Sequence, residues 1–152
     1  MVAHRADKAY VSNAWMILFV LGLIPAATAI AFAAQGGRGR AEILKNLTGL
    51  TWDDLLTKVP GIGSFLGEVQ LILDTYAIAF GISVMAISFF SYRKGERWAW
   101  YVLWIVPLVL LSIIFNDVSA GMSMSGILGI PLLLLSLLGL LLPYRKFFPR
   151  RS

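Results

Sequence analysis

Four stretches of this chain run apolar for about the thickness of a bilayer, and its charges gather between and beyond them. The first is "AWMILFVLGLIPAATAIAFAA", Ala14 to Ala34, which is 21 residues without a charge. The second extends from about Val69 to Tyr92, with Asp74 near its start. The third, Trp98 to Phe115, is 18 uncharged residues, and the fourth, from about Val118 to Leu142, is uncharged and leucine-rich. None alternates with the period of two that marks a half-buried strand. In lipid only helices and closed barrels satisfy every backbone polar group. The pattern therefore predicts an all-α fold: an integral membrane four-helix bundle in one domain, 1–152, with spans at about 14–34, 69–92, 98–115 and 118–142. A secretory signal peptide is the rival for the first run, but its apolar part exceeds the roughly 7–15 residues of a signal core.

The connection 35–68 is long for a loop and predicts partial helix. "AEILKNL" reads as a short amphipathic helix. "TWDDLLTKVPG" reads as a capped turn, with Thr51 as N-cap, Asp54 three residues on, and a stop before Pro60-Gly61. Leu47, Leu50, Trp52, Leu55, Leu56, Ile62 and Phe65 would lay this loop on the membrane surface as a cap.

Composition agrees with the pattern. Hydrophobic residues make up 59% of the chain and charged residues 14%, against about 45–50% and 25% in soluble domains. Mean hydropathy is +0.79. The net charge of +5 sits at the edges of the apolar runs, a membrane-surface distribution rather than a nucleic-acid one. Lys and Arg also orient the chain. Arg5 and Lys8, the turn residues Arg93, Lys94 and Arg97, and the tail residues Arg145, Lys146, Arg150 and Arg151 lie on one side, nine in all. Arg38, Arg40, Lys45 and Lys58 make 4 on the other. Both termini are expected in the cytoplasm.

The most polar point between spans is "FFSYRKGERWAWYVLW", residues 89–104. Arg93, Lys94, Gly95, Glu96 and Arg97 form a tight basic turn, and Trp98 and Trp100 stand at headgroup depth, so this predicts a membrane-surface anchor. A docking or anionic-lipid site is the functional alternative. "YRKGERWAWY", together with the upstream "LTGLTWDDLL", resembles uncharacterised small prokaryotic four-helix membrane proteins that look DoxX-like. That resemblance implies a prokaryotic cell membrane, and some members of the group are linked to quinone or sulfur redox chemistry.

Chemistry is otherwise sparse. There is no cysteine, which excludes disulfides, thiolate-held iron–sulfur clusters and a thiol nucleophile, and the single histidine is His4. No catalytic residue or metal site is expected, and no cofactor is evident from the residues. Asp74, Tyr76, Asn116 and Asp117 form a candidate outer polar patch: each aspartate lies about 27–28 Å of helix from the basic turn, at the far edge of a core about 30 Å thick. Gly121, Ser125 and Gly129 recur every four residues, a close-packing face for helix association. Pro25, Pro107 and Pro131 lie mid-span, where they either kink the helices around a cavity or are simply tolerated.

These features predict a small polytopic, non-catalytic accessory or structural subunit of a larger membrane assembly. Its partners would be membrane lipids and either other membrane subunits or further copies of itself. The alternatives are a binding protein or transporter for a small apolar ligand such as a lipid or quinone, and a DoxX-like redox component. The orientation has a direct test in this cysteine-free chain. A single cysteine at Ser152 should react with an impermeant maleimide only from the cytoplasmic side, and one at Thr57 or Ser123 only from outside. The opposite pattern overturns the orientation.

Overall fold

A computed structural model describes residues 2–35, 41–119 and 123–148. The described residues are all-α. The helices are α1 (Val2–Ala34), α2 (Ala41–Thr48), α3 (Trp52–Lys58), α4 (Ile62–Ile87), α5 (Arg97–Val102), α6 (Ile105–Ser119), α7 (Ser123–Leu141) and α8 (Tyr144–Phe147). A π-helical turn, Ser88–Tyr92, extends α4. Among the described residues, four segments are long and apolar enough to cross a membrane: Asn13–Ala34, Ile62–Tyr92, Arg97–Ser119 and Gly129–Phe147. The second begins at Ile62 rather than near Val69 because Gly61, at φ +84°, ends the preceding turn and the apolar residues after it wind at once into helix.

The third span is interrupted at Leu103–Trp104, between α5 and α6. In a continuous helix the Leu103 carbonyl would accept from residue 107, but Pro107 has no N–H. The carbonyl takes the Val106 N–H at 3.1 Å instead, a tighter i+3 bond, and the helix restarts with Pro107 in its tolerated first turn. Pro25 and Pro131 lie inside unbroken helices. Beside Pro25, the Thr28 hydroxyl donates back to the Ile24 carbonyl at 2.9 Å.

The chain divides into two compact units, Ile24–Ile82 and the remainder. Within Ile24–Ile82, α3 starts as its sequence requires. Thr51 Oγ1 accepts from the Asp54 N–H at 3.2 Å, while the Thr51 N–H donates to Asp54 Oδ2 at 3.0 Å. The Thr51 hydroxyl, then the Thr51 amide, hold the Asp54 carboxyl below the usual carboxylate range. Its cap is therefore complete above that range and is lost as falling pH passes the lowered value.

In the other unit the core runs through Leu18, Val84, Tyr92, Leu103, Leu140 and Phe147, all buried. Its central contact closes the end of α7. Pro143 cannot donate to the Gly139 carbonyl, and the Tyr92 hydroxyl donates to it instead at 2.6 Å. The Trp100 indole N–H donates to the next carbonyl, Leu140, at 2.9 Å. Gly139 itself packs on α1, where a Cβ would stand 3.4 Å from Ile17 and Leu18.

Tyr92→Phe keeps the ring and deletes only the donor, leaving a buried carbonyl short of its partner. It should destabilise the chain by about 1–3 kcal/mol, read as earlier thermal unfolding in mild detergent. A melting temperature equal to wild type would show that the Gly139 carbonyl finds another donor.

Candidate functional site

The basic turn between α4 and α5 is bound to the end of the last span from several directions. Gly95 makes the reversal at φ +85°, a backbone conformation that favours glycine. From the turn, Arg97 Nε donates to the Phe147 carbonyl at 3.0 Å. In return, Lys146 Nζ donates to the Arg93 carbonyl at 2.7 Å. Tyr92 packs on Phe147 with ring centroids 4.6 Å apart. Trp100 meets Tyr144 and Phe148 edge-on at 5.8 and 5.3 Å. The Arg93 guanidinium lies over the rings of Trp15 and Phe89, 5.3 and 5.5 Å from their centroids.

The two tryptophans expected as anchors divide their roles. Trp98 is half exposed and donates its indole N–H to Glu96 at 2.6 Å, as a surface aromatic would. Trp100 turns inward to cap α7. Glu96 accepts from Trp98 and Ser91. Those two bonds, in that order, hold its carboxyl below the usual range, and the charge of Lys94 adds less.

Of the outer residues, Asp74 and Tyr76 lie in one unit and Asn116 and Asp117 in the other. On α4, Asp74 is buried at 1% exposure, and Gln70 one turn before it donates to the Phe32 carbonyl at 3.3 Å. Tyr76 is 71% exposed and does not share that face. Two residues along a helix is about 200° of rotation, so the sequence already separates Tyr76 from Asp74. Asn116 and Asp117 belong to the other unit, where the Asn116 amide donates back to the Ser112 carbonyl at 2.8 Å. Among the described residues no group of three or more His, Cys, Asp or Glu is placed to hold a metal ion.

One turn inward from Tyr92, Trp100 and Leu140 lie Ser88, Trp104 and Ser136. The Ser136 hydroxyl bonds back to the Leu133 carbonyl at 2.7 Å, as a serine within a span is expected to do. Ser88 Oγ and Trp104 Nε1 are buried and, among the described residues, have no hydrogen-bond partner. Their four-residue offset from Tyr92, Trp100 and Leu140 is visible in the sequence, which does not show that Ser88, unlike Ser136, makes no bond back to its helix.

Of the small-residue face, Gly121 lies outside the described residues, and Ser125 lies in α7. At Gly129 the face is filled from within the chain, because a Cβ there would stand 2.7 Å from Ile114 Cγ1 of α6. No family model, curated protein or solved structure matches the chain. Gly129→Ala should therefore unfold the isolated chain earlier, by about 1–3 kcal/mol of overpacking, before any effect on association. Unchanged thermal stability with weakened association would return Gly129 to a partner interface.

Proposed function

We propose that this chain is a non-catalytic accessory subunit of a larger membrane assembly, held in a prokaryotic cell membrane with both termini cytoplasmic. The carrying observation is where the polar side chains of the basic turn go. Tyr92, Trp100, Arg97 and Lys146 donate to the backbone carbonyls of Gly139, Leu140, Phe147 and Arg93, so they close the chain's own helix ends. Meanwhile α6 leaves a broad apolar face open, with Leu108, Leu111, Phe115 and Val118 all more than half exposed. Such a face suits lipid or a neighbouring helix and carries no reacting group.

A second reading, a binding protein or transporter for a small apolar ligand such as a lipid or quinone, draws on Ser88 Oγ and Trp104 Nε1. Buried donors without a partner among the described residues suit a carbonyl oxygen on an otherwise apolar molecule. A DoxX-like redox component rests on the resemblance of "YRKGERWAWY" alone.

The test places a photoreactive residue at Leu111 or Phe115 in native membranes. The accessory reading expects a crosslink to one distinct polypeptide, or to a second copy, that persists through purification at fixed stoichiometry. Adducts to lipid only, from a chain that stays monomeric, overturn it. A retained carbonyl compound lost on Ser88→Ala selects the ligand-binding reading instead.

A further inference from the structure

The basic turn and α8 bring five cations to one end of their unit: Arg93, Lys94, Arg97, Arg145 and Lys146, all exposed. The tethers already described fix two of them, Lys146 on the Arg93 carbonyl and Arg97 on the Phe147 carbonyl. Aromatic faces seat two, Arg93 over Trp15 and Phe89, and Arg97 over Phe148 at 5.5 Å. Carboxylates do neither. Glu96, the one acid within the turn, already accepts from the Trp98 indole at 2.6 Å. The positive charges are thus positioned by neutral groups, and within the turn Glu96 sets a single negative charge, felt by Lys94, against these five.

Each tether uses only part of the donor set. Arg97 gives its Nε to Phe147, and its two terminal amino groups remain as a fork of the kind that grips a phosphate. Lys146 gives one N–H to Arg93 and has two more. The surroundings point to lipid as the phosphate's source. Phe90, Trp98 and Tyr101 are 61%, 50% and 59% exposed beside these cations, aromatics of the kind that settle at headgroup depth. Like charges crowded next to hydrocarbon repel one another more strongly than in water, and an anionic headgroup at that depth relieves the repulsion.

We propose that Arg97 and Lys146, with Arg93, Lys94 and Arg145 around them, form a binding site for the phosphate of an anionic phospholipid. The site is independent of the accessory-subunit reading and would operate in an isolated chain.

The probe is phosphatidylglycerol as a minor component of phosphatidylcholine nanodiscs, with the lipid retained after detergent extraction measured by native mass spectrometry. Wild type should retain phosphatidylglycerol in preference to phosphatidylcholine. Lys94→Gln and Arg145→Gln remove charge without touching the tethers, so each should cut that preference about fivefold, and the pair about 25-fold. Melting temperature in pure phosphatidylcholine should not change. Arg97→Gln should cut the preference further, and Arg97→Lys should restore only part of it because lysine lacks the fork. No preference in wild type, or an undiminished one in the double variant, overturns the site. Inorganic phosphate in pure phosphatidylcholine discs should not raise the melting temperature. If it does so as much as phosphatidylglycerol does, the site is for a soluble anion and the lipid assignment fails.

Discussion

A proline with no N–H sets the central constraint of this protein. Pro143 stands four residues after Gly139, so the last regular turn of α7 ends on a carbonyl that its own helix cannot serve. At a membrane surface shielded from water, such a group is costly unless another donor reaches it. The Tyr92 hydroxyl does, at 2.6 Å, from the end of a different span. To deliver that hydroxyl, α4 must finish beside α7, and it does so with a π-helical turn, where the Arg93 N–H reaches back to the Ser88 carbonyl at 3.1 Å. The widened turn, the buried tyrosine and the tight glycine reversal that follows serve one contact.

The basic turn is therefore more than a hairpin anchor. An anchor needs only charge and amphipathic rings at the right depth. Here Trp100, Arg97 and Lys146 also reach across 40, 50 and 53 residues of sequence to bind or be bound by backbone. Because backbone carbonyls rather than carboxylates receive these donors, the contacts close the helix ends while leaving the net charge of the surface intact. Helix closure and a strongly positive face come from the same residues.

What the sequence revealed follows from the range of the interaction. The four spans were legible because crossing a bilayer demands a length and an apolarity that composition displays directly. The cap of α3 was legible because Thr51 and Asp54 lie three residues apart, and the reversal at Gly95 because a tight turn favours glycine. The acceptors of Tyr92, Trp100 and Arg97 were hidden, since every residue has a carbonyl and nothing in the letters Gly139, Leu140 or Phe147 marks one as short of a donor. The spacing of Gly129 marks a candidate close-packing position, but only the fold shows that Ile114 of the same chain stands against it. Asp74 is buried and Tyr76 exposed on the same helix, as the rotation between positions two apart already implies.

The prolines show why residue identity underdetermines structure even where the chemistry is simple. Each one within or just after a span deprives a carbonyl four residues earlier. At Pro107 the donor is local: the Val106 N–H shifts to Leu103, and the span breaks into α5 and α6. At Pro143 the donor is distant: Tyr92 supplies it, and two spans are joined. One missing N–H thus yields a break in the first case and a tertiary lock in the second. Which outcome follows depends on whether another helix brings a hydroxyl or indole within reach, which is a property of the packed fold. In a chain whose spans carry so little polar chemistry, the few donors that can make such locks decide which helices end together, and they do so at the surface where the cations also gather.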